Sequence, residues 1–242
     1  MGKDINISID KETYENFLFD LFEFGTDLKL ENIPVELQTK QFCLQYFNND
    51  LRGDKIDLSD IKYINSEFMK DKNFILKLVE VNPKIIQKLL ILDETISTKA
   101  VMTDPDVARF VPLKHIQNNL ETFTKLCPLH IAENHEKMFE GVEDKFIYYE
   151  NLIISDFETI ELLPENIVVE VFNRTELLIN NINLFKTLSR SILNLLSEDI
   201  IEKVLSKDGT LIRYLMWYTD KMAEIAIKEN PIAGLYTIPA PE

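Results

Sequence analysis

Three prolines set the frame of this chain. Asn82-Pro83, Asp104-Pro105 and Cys127-Pro128 follow one another at intervals of 22 and 23 residues. Proline lacks a backbone N–H and holds φ near the helical value, so it fits the first turn of a helix and breaks the interior of one. An Asn or Asp just before it can accept from the first free N–H groups. Apolar residues keep step with these punctuation marks. Ile75, Leu78, Val81 and Ile86 surround the first as Leu120, Phe123, Leu126 and Ile131 surround the third. A phase shared over that distance predicts short helix–turn–helix units that bury one another's apolar faces.

A closer internal match has a different spacing. Leu163 to Phe172 aligns without gaps on Leu196 to Leu205, 33 residues later, with Pro164 or Ser197 opening each helix and acids in its first turn. The expected architecture is therefore all-α: an irregular helix-turn-helix repeat array, solenoid-like, with insertions in its loops. Ahead of it, Asp10 is placed to cap a helix carrying Tyr14, Phe17, Leu18, Leu21 and Phe24, with Gly25 as its stop. Thr210 through Asn230 reads as one long helix ended by Pro231, and residues 232–242 read as an extended apolar tail. The expected organisation is an N-terminal helix packing on the array (1–30), helical repeats (31–145), further repeats with the long terminal helix (146–231), and the tail (232–242).

Two stretches carry a family likeness. Ile33-Pro34-Val35-Glu36-Leu37 precedes Thr39 and Phe42, and Ile64-Asn65-Ser66-Glu67-Phe68 precedes Asp71 and Phe74. A turn, a capping Thr or Asp, then an apolar helix resembles the short helical repeats of the DUF4116 type, found in bacterial, phage and large-virus proteins. The resemblance spans residues 31–140 loosely, and the second copy has Asn65 where the first has Pro34. It implies helical repeats and no catalytic residues.

Composition narrows the function. A formal net charge of -15 opposes binding to a nucleic-acid backbone, and six glycines leave few phosphate-cradling loops. Cys43 and Cys127 sit in apolar runs, as small core side chains of a reducing compartment do. The start lacks the apolar stretch of a signal peptide, and no run approaches the roughly 18 apolar residues of a membrane span. The expectation is a cytoplasmic protein, bacterial or in a host cell, that touches no membrane.

The chain offers few candidates for reactive chemistry. His130 and His135 are five apart, which a continuous helix turns to different faces, so with Glu133 and Glu136 they hold a metal only if the helix breaks near Asn134. Cys127 near His130 has the composition of a thiolate–imidazole pair, but a thiol beside a helix start reads as packing. Ser189 and Ser191 lack a nucleophile-elbow context and read as capping or surface residues. No catalytic, metal or cofactor-binding residue is expected.

The carboxylates remain. Glu136, Glu140, Glu143 and Asp144 form one cluster, and Asp156, Glu158, Glu161 and Glu165 another, with several spacings of three or four that a helix would gather into a stripe. They are the candidate partner-binding residues, facing another protein with a basic surface. The expected function is a non-enzymatic protein-interaction module. Its sharpest form is a phage-encoded inhibitor of a host defence or nucleic-acid-handling protein. The rival readings are a structural homo-oligomer joined through residues 232–242 and an enzyme with an unfamiliar site.

Overall fold

A computed structural model describes residues 10–23, 29–48 and 56–237. Every regular element among them is a helix, and none of these helices is long and apolar enough to cross a membrane. The chain divides into two compact units, residues 1–119 and 120–242, so the boundary falls inside the block grouped above as 31–145.

Four of the helices are followed by a residue that redirects the chain. Asn82, Asp104, Asp208 and Asn230 all adopt an extended conformation, with φ/ψ of -152/91, -146/105, -148/94 and -142/110. Each still donates its N–H to the carbonyl four residues back, closing the helix it leaves. At Asp104, Asp208 and Asn230 the side chain then accepts from the N–H two residues on, at 3.0 Å in each case. This Asx-turn offers the backbone an alternative to further α-helix, and a 3₁₀ turn follows. Asn82 departs from the pattern: it is buried, and its Oδ1 has no partner among the described residues.

The same order of backbone states occurs twice, 126 residues apart. Asp71 and Ser197 precede helices Lys72–Val81 and Glu198–Leu205; 3₁₀ turns Pro83–Lys88 and Gly209–Tyr214 follow. Extended linkers lead to Asp93 and Thr219, whose side chains cap helices Glu94–Thr103 and Asp220–Glu229. Pro105–Phe110 and Pro231–Leu235 close the two stretches as 3₁₀ turns. Core positions coincide: Leu78 and Val204, Val79 and Leu205, Ile85 and Leu211, Ile86 and Ile212, Ile96 and Met222, Ala100 and Ala226 are all buried.

In the first unit the capping expectations hold. The Thr39 hydroxyl accepts from Phe42 N–H and the Asp71 carboxylate from Phe74 N–H, and both rings are buried. Burying each such ring contributes about 2 kcal/mol. Two polar side chains tie the surrounding turns. Gln38, fully buried, donates to the Tyr63 carbonyl at 2.8 Å and accepts from Asn65 N–H at 2.9 Å. The Tyr46 hydroxyl donates to the buried Asp60 carboxylate and accepts from Leu30 N–H. Helix Lys11–Glu23 starts where Asp10 accepts from Thr13 N–H at 2.8 Å. Its aromatic stripe needs correcting: Phe17 is exposed, while Leu18 is buried and Phe19 lies on Phe42 with ring centroids 6.0 Å apart. Gly25 falls outside the described residues.

In the second unit helix Phe146–Ser155 packs against Leu120–Leu126 and Pro128–Glu133, and helix Glu165–Arg174 packs against Arg190–Leu195. The 33-residue match holds in the core, where Leu163 and Leu196, Val168 and Ile201, Val171 and Val204, and Phe172 and Leu205 are buried pairwise. Pro164 and Ser197, however, are extended residues just before their helices rather than the first helical positions.

The long C-terminal helix does not form. The chain leaves the 3₁₀ turn at Leu215, runs without helix through Tyr218, and restarts when the Thr219 hydroxyl accepts from Met222 N–H. A side chain that caps an N-terminus cannot sit mid-helix, so Thr219 fixes the break. Nor is the tail extended from Ile232: Pro231–Leu235 is a 3₁₀ turn, and residues 238–242 lie outside the described part.

Candidate functional site: an acidic surface with apolar residues

Between Glu133 and Glu165 the sequence holds ten carboxylates against two lysines, which supplies more than half of the formal net charge of -15. The stretch lies within the second unit. No single helix gathers its acids, and the stripe predicted from their spacing is replaced by several elements. Glu136 sits on the short helix His135–Met138; Glu140 and Glu143 lie on the turn around Gly141, whose φ of 75° ends that helix. Asp144 accepts from Phe146 N–H at 3.1 Å, opening the next helix. Asp156 makes the Asx-turn to Glu158 N–H at 2.9 Å. Glu161 is on Thr159–Leu162, and Glu165 begins Glu165–Arg174, where it accepts from Ser191 Oγ and, at 3.4 Å, from Ser189 Oγ.

The eight candidates thus fall into two kinds. Asp144, Asp156 and Glu165 hold turns or bind serines. Glu136, Glu140, Glu143, Glu158 and Glu161 are exposed, and none of the eight is paired with a lysine or arginine among the described residues. The sequence reading missed the apolar residues among them. Ile147 and Ile154 are both about half exposed and lie seven residues, or two turns, apart on Phe146–Ser155, so they share one face. Phe157 and Leu162 are also exposed. A helix that is apolar nearly all round was the available signal, since a helix packed on one side needs only one apolar stripe.

The reactive candidates resolve into packing roles. The helix does break at Asn134, the condition set for a histidine metal site, yet no group of three His, Cys, Asp or Glu among the described residues is arranged to hold a metal. His135 Nδ1 instead meets the Tyr149 hydroxyl at 3.2 Å, and burial lowers the imidazole pKa against the opposing charge of Glu136. Cys127 donates to the Phe123 carbonyl at 3.2 Å, and burial pushes its thiol up to about 12, far from the thiolate that nucleophilic chemistry requires. Ser189 caps Arg190–Leu195 through Ile192 N–H.

Comparison with protein-family models, curated proteins and solved structures finds no match to this chain. The likeness to DUF4116-type repeats accordingly rests on the capping and core residues quoted for it.

Two further surfaces lack any counterpart in the sequence reading. A groove of about 850 Å³ runs along helices Lys72–Val81 and Glu94–Thr103. Leu90 and Ile91 project from the linker between Lys88 and Glu94, Leu90 fully exposed and Ile91 at 80%.

Proposed function

We propose that the chain is an irregular array of helix-turn-helix repeats of the DUF4116 kind, working as a non-enzymatic protein-interaction module in the cytoplasm. Its acidic stretch captures a partner with a basic surface. In the sharpest form it is a phage-encoded inhibitor of a host defence or nucleic-acid-handling protein. The observation that carries the reading is the concentration, within one stretch of chain, of the exposed carboxylates Glu136, Glu140, Glu143, Glu158 and Glu161, without ion pairs among the described residues, and the exposed Ile147 and Ile154. The two residue types divide the work. Clustered charge of one sign speeds encounter with an oppositely charged partner and sets orientation, while apolar side chains supply the desolvated centre that holds a complex together. The repeated order of helix and Asx-turn supports the array reading, since in such arrays each unit packs on its neighbours and the stack offers an extended face to a partner.

The test is capture from the native cell, with bound protein identified by mass spectrometry. A basic partner retained by the wild type should be lost on charge reversal at Glu136, Glu140, Glu143 and Glu161, and its affinity should fall steeply with salt. Capture indifferent to both would refute the reading.

A second reading, the homo-oligomer, is favoured by Ile232 and Leu235, which are more than half exposed at the end of the second unit. Deleting residues 232–242 should then lower the native mass measured by light scattering. An unchanged mass removes it.

A further inference from the structure

The two matching stretches, 71–110 and 197–236, differ most where helix meets helix at the surface. In the second, Glu202 and Lys221 form an ion pair of 2.7 Å across the seam between Glu198–Leu205 and Asp220–Glu229, and Glu202 is largely buried in it. Their counterparts in the first stretch are Leu76 and Thr95, which cannot pair. The seam there is bridged by Lys72, which meets Asp93 at 2.6 Å and the Thr95 hydroxyl at 3.2 Å, and by Glu80 with Lys99 at 3.1 Å, and the groove of about 850 Å³ opens along it. Leu76 and Met102 give it an apolar lining.

A second difference concerns charge. Lys203 is paired with Asp199 at 2.7 Å one turn before it. The counterpart of Lys203 is Lys77, but the counterpart of Asp199 is Asn73, a neutral amide. Both line the groove, and Lys77 has no ion pair among the described residues. The carboxylates in the same lining are engaged, Glu80 by Lys99 and Glu94 by the Asn118 side chain. What remains is one uncommitted ammonium beside an apolar strip, with the Asn73 amide and Thr98 hydroxyl at its edges.

We infer that this groove docks an extended segment of a partner protein carrying an acidic side chain next to apolar ones. The acid meets Lys77, the apolar side chains cover Leu76 and Met102, and Asn73 and Thr98 take hydrogen bonds from the segment's backbone. The site is separate from the acidic stretch of the second unit and requires a partner of opposite character, so it extends the function proposed above and does not depend on it.

The second stretch supplies the control. Leu76→Glu with Thr95→Lys, and Lys72→Glu to match Glu198, installs in the first unit the ion pair that the same backbone already carries in the second, closing the groove. The probe is a short fluorescein-labelled peptide alternating Glu and Leu, read by fluorescence anisotropy on the full chain. Its controls replace Glu by Lys, or Leu by Ser. Saturable binding of the Glu/Leu peptide is expected, weakened about tenfold or more by the triple variant and by Lys77→Glu, as loss of a charge pair and its apolar contact implies. Asn73→Asp restores a partner to Lys77 and should weaken binding as well; it serves if the triple variant changes the circular-dichroism spectrum. Equal binding of the Lys/Leu peptide, equal binding to the closed-groove variants, or no saturable binding overturns the assignment. So does sedimentation showing that the wild type self-associates and the closed-groove variants do not, since the occupant is then a second copy.

Discussion

A β-carbon placed on Gly209 would stand 2.1 Å from the carbonyl oxygen of Ala226. The 3₁₀ turn Gly209–Tyr214 thus presses directly on the backbone of helix Asp220–Glu229, and Gly209 N–H donates to the Glu229 carboxylate at 2.5 Å. The counterpart of Gly209 in the first unit is Pro83, which has a ring and no N–H. One joint is therefore made in two ways, by close approach and a hydrogen bond in the second unit and by a preset φ in the first.

Gly209→Ala should destabilise the second unit by about 1–3 kcal/mol, since backbone must move to admit the methyl group. Urea unfolding followed by far-ultraviolet circular dichroism measures it. Pro83→Ala, with no such clash to relieve, should cost less. Equal or reversed effects contradict the close approach.

Gln38→Leu should cost about 1–3 kcal/mol, because it leaves the Tyr63 carbonyl and the Asn65 N–H without their partner beside a buried side chain. Hydrogen exchange should show Asn65 N–H losing protection while the second unit is unaffected. Retained protection at Asn65 would mean that another acceptor replaces the glutamine.

Neither thiol should react in the folded protein at mild alkaline pH. Cys43 and Cys127 are both buried, and with its thiol pushed up to about 12, Cys127 offers almost no thiolate there. Ellman's reagent should report both thiols only after denaturation. Rapid reaction of one thiol in native protein would reopen the case for a reactive cysteine.

His135 should titrate below the ordinary histidine value, with burial as the larger cause and Glu136 opposing it. Glu136→Gln should lower the midpoint further, as followed by the imidazole proton resonances. The sign for stability follows from linkage. The unfolded chain takes up the proton first as pH falls, so this contribution is present above the unfolded pKa and is lost as pH drops through it towards the folded one. A midpoint above that of free histidine would contradict the burial.

Caps and core positions were legible in the sequence because their chemistry is local. Asp10, Thr39 and Asp71 sit where helices begin, and the buried pairs of 163–172 and 196–205 repeat residue for residue. The larger match, 71–110 with 197–236, was hidden. Its identities are confined to Ile75/Ile201, Lys77/Lys203, Ile86/Ile212, Leu89/Leu215, Ala100/Ala226 and Pro105/Pro231, and Gly209 stands where the first stretch has Pro83. The false long helix has a related cause. A 3₁₀ turn also brings residues three apart to one face, so Leu211, Tyr214 and Trp217 mimic helical spacing with no Gly or Pro to mark the break. Thr219, an ordinary residue in a helix but a strong cap before one, was the signal available. The acidic surface was legible as composition only. Its division among several elements depends on the turns at Gly141 and Asp156, and the exposure of Ile147 and Ile154 depends on what packs against their helix.

The claim beneath both the array and the groove is that residues 71–110 and 197–236 fold as the same unit. Backbone chemical shifts of the full chain test it directly, residue by residue. Helical shifts should stop at Asn82, Leu89 to Leu92 and Asp104, and stop again at Asp208, Leu215 to Tyr218 and Asn230. Unbroken helical shifts from Thr210 through Asn230 would contradict it, and with it the correspondence of Leu76 and Thr95 to Glu202 and Lys221.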